Sequence, residues 1–420
     1  MRPILAYCML ITNALMSNAQ TGWTVTNIPD GGRYDDLFFI NDSVGWAAGG
    51  PTGWIYKTTN AGDTWDLQFN TPLYLRSIEF VNADIGFAGT LSGVLYRTVD
   101  GGENWDDISA NIAQQPAGIC GLSVADASTI YGCGIWSGPA FVIKSIDGGD
   151  SWSYIDMSAY ATRLVDILFI SPDVGFATGT AAPASNGGVI LHTTDGGASW
   201  STVCTTNAFS DIVWKIQPLD DQHCFASVYS EPINDDTRML RSADGGMNWE
   251  QITVSEQYTY NEAIGFMDPL HGWAGGDQVL WETMDGGDSW QAYSFGSSHN
   301  RFVKVSATRA FLSGAHIYKY EEDNTTIVAE STPRTEYHTL SVSPNPTDGR
   351  ITIRLWLGRA TIAELKVLTT DGRLVKELLR QPAQLGEYRF TVDMNGDAGQ
   401  AYFVVLRTNE GMRYEKVVVK

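Results

Sequence analysis

TTDGGASW, residues 193–200, recurs five more times along this chain. TTNAGDTW spans Thr58–Trp65, TVDGGENW Thr98–Trp105, SIDGGDSW Ser145–Trp152, SADGGMNW Ser242–Trp249 and TMDGGDSW Thr283–Trp290. The acidic position falls at Asn60, Asp100, Asp147, Asp195, Asp244 and Asp285. The closing ring falls at Trp65, Trp105, Trp152, Trp200, Trp249 and Trp290. Successive acidic positions stand 40, 47, 48, 49 and 41 residues apart. A period of that size marks propellers or solenoids.

A second pattern lies between the boxes. DSVGWAAGG starts at Asp42, ADIGFAGT at Ala83, PDVGFATG at Pro172 and DPLHGWAGG at Asp268. Looser forms start at Ser128 (STIYGCG), Gln222 (QHCFAS) and Thr308 (TRAFLSG). An apolar alternating stretch precedes each, such as Asp35–Ile40, Arg76–Val81 and Asp166–Ile170, and another follows, such as GWIYKT or GVLYRT. Length, β-branched content and glycine punctuation mark every piece as a strand. One unit reads strand, G-W/F-A strand, strand, box, and a strand begun by the box tryptophan. Four strands in about 42 residues make one propeller blade. Seven units fit between Trp23 and Tyr320, and the seventh has no box. The N-terminal GWTVTNIP, from Gly22, looks like a strand that follows a box, so it is expected to complete blade seven and close the ring.

The box is read as a fastener. Its glycines allow positive φ in a tight turn, and the Asp accepts hydrogen bonds from its own turn, a task Asn60 can share. The tryptophan buries a large ring between neighbouring sheets. Corners joining the outer two strands sit on the rim and cannot converge on one substrate.

Net charge is −21. Residues 20–337 carry 14 Lys+Arg against 39 Asp+Glu, whereas residues 338–420 carry 12 against 9. So acidic a body disfavours nucleic acid and anionic membranes as partners. Residues 1–19 read as a secretory signal, with Arg2, a short apolar core and a small-residue SNA site before Gln20. No other stretch has the length of a membrane span. Export permits disulfides, and Cys120–Cys133 and Cys204–Cys224 are the favoured pairs because each falls within one repeat; four buried thiols are the alternative.

The motif S/T-x-D-x-G-x-S/T-W resembles the Asp box of the BNR-repeat proteins, which include sialidases and xyloglucanases. With the D-x-G-W/F-A-x-G segments, the likeness is greatest to the photosystem II assembly and stability factor family. That resemblance covers about 300 residues and implies a seven-bladed β-propeller; one fold carries many functions, so it implies little about activity.

Residues 321–337 are polar and aperiodic and read as a linker. Residues 338–420 alternate in short strands separated by TDG, NGD and NEG turns, which predicts a small β-sandwich. Ser343-Pro344-Asn345-Pro346, Gly349, Asp371-Gly372, Ala401-Tyr402-Phe403-Val404 and the terminal Lys416–Lys420 resemble the type A C-terminal sorting domain of the type IX secretion system of Bacteroidetes. Ala401 stands where that family usually has Gly. The resemblance implies passage through the type IX machinery, cleavage of the domain, and release or anchoring at the surface.

Candidate chemistry is sparse. Aligned on the last apolar anchor of each leading strand, Arg33 and Arg163 fall six residues before Phe39 and Phe169; Arg76 and Arg301 fall four before Phe80 and Val305. Equal parity points all four to one channel mouth, where guanidinium groups would suit a carboxylate, a phosphate or an acidic segment. Pairing with local acids such as Asp35, Asp36 or Asp166 is the other outcome. The six histidines show no metal spacing, and no Ser-His-Asp elbow, P-loop or dinucleotide fingerprint is present; no cofactor is expected. Two readings follow. One is a binding module that engages a protein or glycan through one face. The other is a glycosidase, sialidase-like or glucanase-like, which needs paired carboxylates about 5–9.5 Å apart. No acid stands out for that role, and the Arg-Ile-Pro signature of sialidases is missing.

Overall fold

The computed structural model describes residues 22–134, 139–230, 236–322, 339–357, 361–370, 372–383, 386–394, 400–408 and 411–420. The expected signal (1–19), nearly all of the expected linker (321–337) and Asp371 lie outside them. The chain divides after Asn324 into two compact units.

Among the described residues the first unit holds seven four-stranded antiparallel sheets. Six of them run in chain order from an innermost strand: Tyr34–Phe39 (sheet 1), Leu75–Phe80 (sheet 2), Gly121–Val124 (sheet 3), Ala161–Phe169 (sheet 4), Asp211–Pro218 (sheet 5) and Ala263–Phe266 (sheet 6). Sheet 7 starts at Phe302–Lys304 and takes its fourth strand from Trp23–Val25, which pairs Trp23 with Tyr320 and Val25 with Tyr318. Each innermost strand touches the next, and that of sheet 7 touches that of sheet 1, so the sheets form a closed ring.

Glycine and aromatic positions explain how the sheets stack. In sheet 2, a Cβ on Gly86 would lie 2.4 Å from the Phe80 ring, so only glycine lets the first strand's anchor lie flat on the second strand. The aromatic at the next position of the second strand, which follows Gly45 in sheet 1 and Ile130, Cys224 and Ala310 in sheets 3, 5 and 7, reaches outward to the next sheet's anchor. Trp46 stacks on Phe80 at 3.6 Å, Tyr131 on Phe169 at 3.5 Å, Phe225 on Phe266 at 3.6 Å and Phe311 on Phe39 at 4.0 Å. Box tryptophans then meet the anchors edge-on, as Trp105 meets Phe80 at 5.9 Å and 88°. Trp23 takes the corresponding place at the closure, edge-on to Trp273 at 5.3 Å.

Each box joins the third strand to the fourth. In the Thr193–Trp200 copy, Thr193 Oγ1 donates to Asp195 Oδ1 at 2.8 Å, and the backbone N–H of Ser199 donates to the same oxygen at 2.9 Å. The Gly197 N–H donates to Thr193 Oγ1 at 2.9 Å. Asn60 repeats this pattern with Thr58 and Thr64. Such donors pull Asp100, Asp147, Asp195 and Asp244 down to about 2.

A further rule ties one sheet to the next. The residue just before a box, on the third strand, reaches the following sheet's box. Lys57 Nζ donates to Gly101 O at 2.9 Å, Lys144 Nζ to Gly196 O at 2.8 Å and Arg241 Nη1 to Gly286 O at 2.8 Å. Arg97 pairs with Asp150, and Lys319, on the last sheet, with Asp63 of the first. Sheet 7 has no box, and the residue that would reach for it is an acid, Glu282, which bonds His271 instead at 3.0 Å.

The expected disulfides are a correction: Cys120, Cys133, Cys204 and Cys224 are all thiols. Counted from box to box, Cys204 and Cys224 share a repeat. Sheets, however, are phased from the innermost strand, so Cys204 lies on the outermost strand of sheet 4 and Cys224 on the second strand of sheet 5. Cys120 and Cys133 are neighbours in space, with Cys120 N–H donating to Cys133 O at 2.7 Å, and both are buried.

The second unit pairs Thr339–Ser343, Arg350–Leu357 and Gly386–Asp393 in one sheet, and Leu374–Ala383, Thr361–Thr369, Ala401–Thr408 and Gly411–Val418, in that order, in another. Ile351, Ile353 and Leu355 from the first sheet share a core with Leu365, Val367 and Val404 from the second. Asn345 accepts from Val418 N–H at 3.1 Å, which ties the SPNP stretch to the last strand. No helix among the described residues is long and apolar enough to cross a membrane.

Candidate functional site

The innermost strands line the ring's centre, and pairing fixes their equivalent positions. In every sheet one residue opposes the position that follows the second strand's outward aromatic: Leu37, Ile78, Leu122, Ile167, Ile216, Ile264 and Phe302. The residue before it is Asp36, Ser77, Gly121, Asp166, Lys215, Ala263 or Arg301; the residue after it is Phe38, Glu79, Ser123, Leu168, Gln217, Gly265 or Val303. The scaffold repeats here and the side chains do not.

Arg301 is the hub. Its Nε donates to Asp36 Oδ1 at 2.7 Å, on the adjacent sheet 1, and its Nη1 and Nη2 grip Asp166 at 3.1 and 2.6 Å, on sheet 4. Sheets 7 and 4 are not neighbours, so this fork spans the channel. Burial works against the Arg301 charge, but Asp166 and Asp36 outweigh it and hold the guanidinium protonated. Burial likewise opposes the Asp166 charge; Arg301 and Lys215 overcome it and lower that carboxyl below its usual range. Asp36 and Asp166 also accept the Ile78 and Ile216 N–H groups at 3.0 and 3.2 Å. These bonds satisfy backbone donors on the inner edges of the next sheets.

A second knot lies nearer the strand starts. Arg33 bridges Asp35 and Glu262, both at 2.7 Å, and Asn300 Nδ2 donates to Asp35 at 3.0 Å. Arg76 stands 3.7 Å from Asp35 and lies over the Trp214 ring at 5.3 Å. Neither Nη of Arg76 nor the Nζ of Lys215 has a hydrogen-bond acceptor among the described residues, although both side chains are buried. Burial, with Arg301 nearby, brings Lys215 down to about 8.

Of the four arginines singled out by sequence, the structure thus gathers Arg33, Arg76 and Arg301. It places acids against each of them, and Arg163 lies half-buried on sheet 4 outside that set. Sequence reasoning missed Glu79, Lys215, Trp214 and Glu262. For Glu79, Trp214 and Lys215 the signal is a charge or polar ring inside an otherwise apolar leading strand, as in LRSIEF and DIVWKIQP; Glu262 stands just before its strand, Ala263–Phe266.

Beside the hub a cavity of about 380 Å³ opens toward the strand ends, bordered by Glu79, Arg301, Phe38, Leu168 and Val303 among others. Burial, then the nearby Asp36, lifts Glu79 to about 8, so its carboxyl is protonated at neutral pH.

No protein-family model matches this chain, and no curated protein matches it. Solved structures do. The structure titled YCF48 bound to D1 peptide is 18% identical with a TM-score of 0.55, covering 72% of this chain and 97% of that one. The fold is that of a β-propeller. YCF48 from Cyanidioschyzon merolae is 16% identical, with a TM-score of 0.54 over 72% of this chain and 99% of its own. The GH74 enzyme of Niastella koreensis is 11% identical, with a TM-score of 0.54 over 95% of this chain and 74% of its own. Identities this low speak to fold alone.

Proposed function

We propose that this chain is a secreted or cell-surface binding module: a seven-bladed Asp-box propeller, closed by its N-terminal strand, that engages a protein or glycan through the face where the innermost strands begin. The observation that carries this reading is Arg76, whose two buried Nη groups lie over the Trp214 ring, come only to 3.7 Å of Asp35 and have no hydrogen-bond acceptor among the described residues. A ligand carboxylate is their natural complement. The carboxylates Asp35, Asp36 and Asp166 are themselves held by arginine or backbone donors, an arrangement suited to recognition rather than to proton transfer. A peptide-bound neighbour on the same fold supports a protein segment as ligand. Residues 338–420 act in this reading as a β-sandwich sorting domain that carries the chain through the type IX secretion machinery, after removal of residues 1–19.

Peptide and glycan arrays probed with the purified chain test the binding role. Binding that persists unchanged in Arg76→Ala rules out this face. Turnover of aryl-glycoside or sialoside reporters, lost on changing one channel acid, replaces the binding module with a glycosidase. A reporter fused to residues 338–420 and retained in the periplasm of a type IX-competent strain removes the sorting role.

A further inference from the structure

Glu79 carries an inference beyond that reading. Its position is one at which side chains lace one sheet to the next. Ser123 Oγ accepts from Phe169 N–H at 2.9 Å, and Gln217 Oε1 accepts from Phe266 N–H at 2.7 Å. Glu79 does the same with the Val124 backbone. Gln217 completes its lace by donating Nε2 to Phe266 O at 3.1 Å, whereas Glu79 faces the cavity with a carboxyl in place of that amide.

The charges around that carboxyl decide what fits. Asp36 on sheet 1 and Asp166 on sheet 4 face it as anions; Arg301 on sheet 7 and, behind Asp166, Lys215 on sheet 5 answer them. Without Glu79 this set balances. An ionised Glu79 leaves one negative charge in a recess of mixed lining, with Phe38, Leu168 and Val303 on its apolar side and Ser123, Gln217 and Lys304 on its polar side. One cation restores the balance, whereas an anionic ligand would unbalance it. Lys304, exposed further along the strand, already donates to Met267 O at 2.7 Å. The acidic body, with 39 Asp+Glu against 14 Lys+Arg over residues 20–337, also attracts cations and repels anions.

We propose that this cavity is a binding site for a primary ammonium group carrying a short apolar body, with Glu79 as its counter-ion and Phe38, Leu168 and Val303 against its chain. A cavity of about 380 Å³ lies within the size range of small-molecule pockets. Because Glu79 holds a proton at neutral pH, uptake of the ammonium ion releases that proton to solvent.

The test is calorimetric titration of the full chain with n-hexylamine, n-hexanoate and 1-hexanol between pH 6 and 9. The amine is expected to bind one to one and to release close to one proton per molecule at pH 6–7, read from the heats in buffers of different ionisation enthalpy. Its affinity should rise about tenfold per pH unit below 8 and flatten above. Glu79→Gln keeps the lace, since Gln217 fills the equivalent place in sheet 5, and should lower amine affinity at pH 8 at least about tenfold and remove the proton release. Lys215 titrates in the same window, so any pH dependence left in Glu79→Gln is its share. Leu168→Trp, which fills the recess, should also abolish binding. Hexanoate or hexanol binding as tightly as the amine, no detectable amine binding, or amine binding undiminished in either variant overturns the proposal.

Discussion

The rim of this propeller and its central channel are built on the same strands and follow opposite rules. At the rim, six corners repeat one set of bonds, from Thr58–Trp65 to Thr283–Trp290, and each serves only its own turn and the preceding sheet. In the channel, one position holds seven different residues from Phe38 to Val303 and the other holds six kinds, with Asp twice, and Arg301 links sheets that are not neighbours. Repetition marks what every sheet needs in order to stack. Departure from repetition marks what the ring needs only once, and there a functional site belongs.

The contrast can be broken from either side. Arg301→Ala should have the largest effect, because it leaves Asp36 buried without its cation and Asp166 with only Lys215, 3.7 Å away. A loss of about 3–5 kcal/mol is expected in calorimetric melting, and a loss near zero would show that the channel ions are not coupled. Trp152→Ala at the rim should cost about 3–4 kcal/mol; the ring is almost fully buried and its Nε1 donates to Gly149 O. Trp105→Ala should match it closely, whereas Asp36→Asn and Asp166→Asn should differ from each other, since their partners differ. Lys144→Met removes one tie to the next sheet's box and should cost about 1 kcal/mol. Glu282→Lys should gain nothing, having no box ahead of it.

The smallest effect is an acid one. Asp100, Asp147, Asp195 and Asp244 are lowered in the folded state to about 2, against an ordinary 3.8. A lowered carboxylate contributes stability that is present above its unfolded value and lost as pH falls through its folded one. Melting temperature should therefore decline between about pH 4 and pH 2. Asp195→Asn, which copies Asn60, should weaken that decline; an unchanged acid profile would show that these corners do not titrate on unfolding.

Much of the ring was legible before any coordinates. The box, the glycine beneath four of the anchors (Gly45, Gly86, Gly175 and Gly272) and the orphan strand at Trp23 are local or periodic signals, and each of these local choices agrees with the whole. The channel was legible only in part. Parity brought Arg33, Arg76 and Arg301 to one region, yet it could not say that Arg301 answers Asp166, 135 residues away across the channel. Nor could it say that Glu79, one strand residue among many acids, faces a recess. The Cys204–Cys224 pairing failed for a different reason: the box fixes the period but not the phase of the sheets, so the two fell on opposite sides of a sheet boundary.

What the sequence determined by itself is the repeating unit and its period, because turn chemistry and strand alternation act over a few residues and print themselves on every copy. What only the tertiary structure decided is which charges meet. Innermost strands converge on one axis from sheets far apart in the chain, and in that low-dielectric centre protonation and pairing depend on separations of a few ångströms that no spacing along the chain records.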